Sequence, residues 1–142
     1  MKPPLDPIPR GSETILLVDP DPAPRKLAGF MLGKQGYRVL EARSAAEAVI
    51  LVRETGDPID LAIVELHLPR VNGRELARQL QELRPAIRVL FMSDPEYATF
   101  LRRLAVPASL EFLRKPFTMR SLADHVRRVL DRPVTATAPG CG

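Results

Sequence analysis

A chain of 142 residues that is 45% hydrophobic suits one soluble globular domain with an ordinary core. Its net charge of +4 permits weak attraction to nucleic acid, yet the basic residues are scattered over several segments without a groove-reading motif, so nucleic acid is not an expected partner. Met1 to Gly11 has no apolar signal-peptide core, no later run is long enough to span a membrane, and the single cysteine, Cys141, excludes an internal disulfide, so a cytoplasmic protein with a free tail thiol and no membrane partner is expected.

Proline-rich, linker-like ends predict disordered tails over residues 1–12 and 132–142, with the folded part running from Glu13 to Asp131. Thr14 to Asp19 (TILLVD) is an almost unbroken apolar run, as a strand buried on both faces requires. A helix follows from Pro22, capped by Asp21, with Leu27, Phe30 and Met31 as its inward stripe and Gly36 at its end. Tyr37 to Glu41 alternates as a half-buried strand. Ser44 then opens a helix, with Glu47 three residues on as its capping-box partner and Ala48, Val49 and Val52 inward. Ile59 to Glu65 is the third strand, Gly73 to Leu83 the third helix on Leu76, Leu80 and Leu83, and Ile87 to Met92 the fourth strand after a break at Pro85. A short helix is predicted around Glu96 to Leu104 and a fifth strand near Leu110 to Leu113. The last helix, Thr118 to Leu130, turns Leu122, Val126, Val129 and Leu130 inward. This alternation predicts an α/β fold, a flavodoxin-like (βα)5 doubly wound parallel sheet with right-handed crossovers and strand order 2-1-3-4-5.

In such sheets, reaction sites lie beyond the carboxyl ends of the strands. Asp19, Pro20 and Asp21, Glu65, Ser93 and Asp94, and Lys115 therefore fall in one candidate site. Carboxylates ending two strands, a hydroxyl ending a third and a lysine ending a fourth are the parts of a magnesium-assisted phosphoryl transfer onto an aspartate. Hard oxygens hold Mg²⁺, while lysine and hydroxyl bind the charge that develops on the phosphoryl oxygens. The segments TILLVDPDPAPRK, DLAIVELHLPRVNGREL, VLFMS and FLRKPFT together resemble the receiver domains of bacterial response regulators and hybrid histidine kinases. The resemblance covers nearly the whole folded region, and VLFMS followed by FLRKPFTMRSLADHVRRVL is most similar to the receivers at the C-termini of hybrid histidine kinases.

The resemblance implies a role for each matching residue. Lys115 is the lysine that contacts the phosphoryl group, and its bond to Pro116 is a candidate cis peptide. Ser93 matches the switch position whose hydroxyl turns toward a bound phosphoryl group, and Phe112 the aromatic partner that moves with it; a loop-capping serine and a simply buried phenylalanine are the plain alternatives. Glu65 stands where the family has its phosphorylated aspartate, one methylene longer, which displaces its oxygens from the in-line geometry of transfer. Asp19 matches the first acid of the metal-binding pair, but the second, the direct ligand, is Pro20, which offers neither a side-chain oxygen nor an amide hydrogen. Asp21 is a substitute ligand on which the helix cap has the stronger claim. The expected cofactor is none, or weakly bound Mg²⁺ through Asp19, and His67 and His125 are expected to be surface residues.

These departures predict a non-enzymatic, phosphorylation-independent receiver-like module in two-component phosphorelay signalling. Glu65 either imitates the phosphorylated state by reaching toward Lys115 or fills a vacated site; a carboxylate brings one charge where a phosphoryl group brings up to about two. The resemblance implies contact with a histidine kinase, another signalling protein or a second copy of the chain, through the face formed by the fourth predicted helix, the fifth strand and the last helix. The alternative is a working phosphoacceptor that uses Mg²⁺ and a carboxylate at the same site. Asp19, Asp21 and Asp94 are poor acceptors, and Asp60 starts the third strand at the opposite edge. A cofactor-binding enzyme on this fold lacks its marks, since DPDPAPRK has neither glycines to wrap a pyrophosphate nor hydroxyls for a flavin phosphate.

Overall fold

The computed structural model describes residues 7–96 and 112–133. Five strands, β1 (Thr14–Val18), β2 (Arg38–Ala42), β3 (Leu61–Glu65), β4 (Arg88–Ser93) and β5 (Phe112–Arg114), form one sheet in the order β2-β1-β3-β4-β5. Every pairing is parallel, with Val18 beside Ala42 and Val64, Glu65 beside Met92, and Met92 beside Leu113. The described residues hold four complete helices: α1 (Pro22–Lys34), α2 (Ala45–Glu54), α3 (Gly73–Leu83) and α4 (Met119–Leu130). The helix predicted around Glu96 to Leu104 and the first residues of the predicted fifth strand lie outside the described residues, apart from Glu96 itself, which is helical.

Because side chains alternate along a strand, the central strands feed two cores. Leu16, Val18, Ala62 and Val64 join Ala48 and Val52 of α2 and Leu76 and Leu80 of α3 on one face. Ile15, Leu17, Leu61 and Ile63 join Ala28 and Leu32 of α1 and Leu122, Val126, Val129 and Leu130 of α4 on the other. The predicted stripe of α4 is thus buried in full, and in α3 Leu83 is only partly covered.

The predicted inward stripe of α1 is a correction. Leu27 and Phe30 are 48% and 62% exposed, Met31 is partly buried, and the buried residues are Arg25, Ala28 and Leu32. Two apolar stripes compete on this helix, and Arg25 decides between them. Its Nε donates to Glu41 Oε1 at 3.0 Å and its Nη1 to the Asp19 carbonyl at 2.9 Å, so a guanidinium satisfied on both sides goes inward with the small residue Ala28.

Local signals set the helix ends. Asp21 accepts from the Ala23 amide, Ser44 from that of Glu47, Asn72 from that of Glu75 and Thr118 from that of Ser121, each pairing one otherwise unsatisfied amide of a first turn. The capping box at Ser44 is shifted by one residue, because the Glu47 carboxylate reaches the amide of Arg43 at 2.8 Å. After α1, Gly36 takes φ of 103°, where a Cβ would meet the Gly11 carbonyl oxygen. Gly11 itself donates to the Gln35 carbonyl at 3.0 Å, a tie two residues ahead of the predicted start of the folded part. Nearby, Arg127 of α4 holds Glu13 at 2.8 Å and the Tyr37 hydroxyl at 3.2 Å. No helix among the described residues is long and apolar enough to cross a membrane.

Candidate functional site

The carboxyl ends of the strands bring Asp19, Glu65, Ser93 and Lys115 together. Asp19 follows β1 and is held by its amide on the Ala42 carbonyl; Glu65 closes β3, Ser93 closes β4, and Lys115 follows β5 with its amide on the Ser93 carbonyl at 2.9 Å. The Lys115–Pro116 peptide is cis, as expected. Asp19 and Glu65 are buried, and between them lies the ammonium of Lys115, 2.7 Å from Asp19 Oδ2 and 2.5 Å from Glu65 Oε1. Burial alone pulls the lysine toward its neutral form, but the hydrogen bonds and charges of Asp19 and Glu65 outweigh it and hold the group above its ordinary pKa.

The outer carboxylate oxygens are anchored by the backbone. Glu65 Oε2 accepts from the His67 amide at 2.9 Å, and Asp19 Oδ1 from the Asp21 amide at 2.9 Å. Each carboxylate is therefore clamped between a backbone amide and the Lys115 ammonium. Ser93 is buried, and its hydroxyl donates to the Asp94 carbonyl at 3.1 Å. Phe112 packs on Phe91, ring centroids 6.4 Å apart and tilted by 42°.

Other candidate residues divide clearly. Asp21 is exposed, and its carboxylate serves the helix cap at 3.2 Å from the Ala23 amide. His67 is exposed, and its amide meets the site. His125 is half-buried rather than a plain surface residue, with Nδ1 2.7 Å from the Ser121 carbonyl; because a carbonyl only accepts, that nitrogen carries the proton. Asp60 lies at the opposite edge, where it accepts from the Thr14 amide at 2.9 Å.

Two residues that the sequence reading passed over shape the site. Arg25 fixes the Asp19 carbonyl; its signal was its place three and seven residues before Ala28 and Leu32, on one helix face. Gly73 lets the first turn of α3 press on the site loop, since a Cβ there would lie 2.5 Å from the Glu65 carbonyl oxygen and 2.7 Å from Leu66 Cα. A glycine at the first position of a helix gives little hint of such a contact in sequence.

The donor set does not fit a tightly held Mg²⁺, which needs a near-octahedral shell of oxygens. Pro20 supplies no side-chain oxygen, Asp21 is used in capping, and the inner oxygens of Asp19 and Glu65 face an ammonium. Among the described residues, no three His, Cys, Asp or Glu side chains converge as metal ligands.

The profile of the family described as "Response regulator receiver domain" matches residues 15–127. The sensor kinase CckA of Brucella abortus (strain 2308) is 34% identical over 122 residues, covering 86% of this chain and 13% of that protein. The response regulator receiver protein CpdR of the same strain is 28% identical over 116 residues, 82% of this chain and 95% of CpdR. The crystal structure of the receiver domain from hybrid histidine kinase CckA is similar with a TM-score of 0.68 at 29% identity, covering 82% of this chain and 98% of that one. The chain spans between 13% and 27% of the length of several curated relatives that it matches.

Proposed function

The chain belongs to the response regulator receiver domains, the signalling modules of two-component systems, and from that premise we propose that it signals without being phosphorylated at its own acceptor position. One observation carries this reading: at the position of the family's acceptor aspartate, Glu65 is closed into an ion pair with Lys115, the residue that would otherwise contact the incoming phosphoryl group. An attacking carboxylate oxygen must lie in line with the phosphoryl donor, and the direction of Glu65 is fixed at both of its oxygens. Here one oxygen of Glu65 is 2.5 Å from an ammonium and the other 2.9 Å from an amide. Pro20 removes the second acid of the metal pair, so the reading needs no cofactor, or at most weakly bound Mg²⁺.

On this reading the protein is not an enzyme and acts by contact with a histidine kinase, another signalling protein or a second copy of itself. The contact face is that of β5, α4 and the helix predicted from Glu96 to Leu104. Intact mass after incubation with acetyl phosphate and Mg²⁺ tests the proposal. The natural chain is expected to keep its mass, while a double variant, Pro20→Asp with Glu65→Asp, gains one phosphoryl group. A phosphoryl group on the natural chain would make it a working acceptor and refute the proposal.

A further inference from the structure

We infer that Glu65 holds this domain in its resting arrangement rather than imitating the phosphorylated one, because it engages the lysine of the site and leaves the serine unengaged. The inference rests on the phosphorylation-independent reading above and concerns what the unphosphorylated site does. A bound phosphoryl group would draw on two donors, the Lys115 ammonium and the Ser93 hydroxyl, and imitation of it requires both.

Glu65 takes the first donor. Its Oε1 is 2.5 Å from Lys115 Nζ. The second donor is committed elsewhere. A serine hydroxyl has one hydrogen, and an ionised carboxylate can only accept, so a Ser93–Glu65 bond must use that hydrogen. In this structure it goes to the carbonyl of Asp94, at 3.1 Å.

The second oxygen of Glu65 is equally occupied in another direction. It accepts from the His67 amide at 2.9 Å, on the chain that leads into the β3–α3 loop. The carboxylate therefore spans from Lys115 back to its own loop and does not turn toward β4. Asp19 shares the same ammonium at 2.7 Å and keeps it on the β1 side of the site. The Glu65 carboxylate thus forms an internal latch between β3 and the end of β5, with the Ser93 hydroxyl outside it.

A double-mutant cycle reads this directly. Urea midpoints are measured for Glu65→Gln, Lys115→Met and Ser93→Ala, and for the pairs that combine Glu65→Gln with each of the others. Glu65 and Lys115 are expected to be coupled, with non-additivity of about tenfold in the unfolding equilibrium constant, and Glu65 and Ser93 to be additive within about twofold. Coupling of Glu65 to Ser93 as large as that to Lys115 overturns the inference.

A second measurement stands if Lys115→Met does not fold. The ring resonances of Phe112 are compared between the natural chain and Glu65→Gln. A resting latch predicts unchanged ring shifts, because the serine and its aromatic partner were never engaged. Imitation predicts that neutralising the carboxylate releases them and shifts the ring, which would sink the inference. A mass gain of the natural chain with acetyl phosphate refutes the earlier proposal whatever the cycle gives, whereas serine coupling without such a gain refutes this inference alone.

Discussion

Replacing Lys115 with methionine removes the ammonium that separates two buried carboxylates while keeping most of the side chain's length. Contacts of 2.7 Å to Asp19 and 2.5 Å to Glu65 correspond to about 6 kcal/mol of gross attraction each at an effective dielectric near 20. Most of that is offset by the desolvation of three ions, at several kcal/mol per ion. The net worth of the intact cluster is therefore small, but the cost of breaking it is not. Asp19 and Glu65, 1% and 7% exposed at the side chain, would be left facing each other with no counter-charge, a situation that costs about 3–5 kcal/mol in buried pairs. The lysine side chain is 18% exposed, so water moderates the loss and about 3 kcal/mol is expected at pH 7.

The pH dependence gives the sharper test. In the natural chain Lys115 is held above its ordinary pKa of 10.5 by Asp19 and Glu65 against the pull of burial. Its contribution is therefore fully present below pH 10.5 and lost as pH rises through the raised folded value. Lys115→Met lacks that ammonium at every pH, so its deficit against the natural chain should narrow as pH rises past 10.5 and the natural lysine loses its charge. Urea unfolding of both proteins at pH 7 and at about pH 11, read by far-ultraviolet circular dichroism, measures the two differences. A loss under about 1 kcal/mol at pH 7, or a deficit that widens at alkaline pH, would refute the cluster as described.

Arg25→Ala should destabilise the domain by about 2–3 kcal/mol by stripping the Asp19 carbonyl and Glu41 of their donor, whereas Phe30→Ser on the exposed face of the same helix should cost under about 1 kcal/mol, chiefly its contact with Lys34. The two unfolding curves decide which face of α1 is inward. Gly73→Ala drives a methyl group to 2.5 Å from the Glu65 carbonyl oxygen and is expected to cost about 1–3 kcal/mol, with amide shifts centred on Glu65 to His67 in a nitrogen–proton spectrum; shifts confined to α3 would contradict the contact. The Arg127 guanidinium holds the Glu13 carboxyl below its ordinary pKa of 4.5 against a smaller opposing effect of burial. That pair's stabilisation is present above pH 4.5 and lost as pH falls through the depressed value, so Glu13→Gln should flatten the acid limb of the stability curve measured by urea unfolding.

Much of this architecture is decided by interactions between residues close in the chain, and those were legible. The apolar run of TILLVD, the caps at Asp21 and Ser44, and the 3.6-residue spacing of Leu122, Val126, Val129 and Leu130 all act within a few residues. Strand order followed from that alternation, and the position of the site followed from strand order. What only the tertiary structure decided involves partners far apart in sequence. Leu27, Phe30 and Met31 form as good an apolar stripe as Ala28 and Leu32, and the choice fell to Arg25 because Glu41 on β2 and the Asp19 carbonyl were there to receive it. The identity of Glu65 was plain from the chain, but its occupation was not. Whether a longer carboxylate meets the lysine, the serine or water depends on Lys115, 50 residues away, and on where the single hydroxyl hydrogen of Ser93 finds its acceptor. Such contacts carry no local periodicity, because they are set by the distance between strand ends and not by the spacing of residues along any one of them.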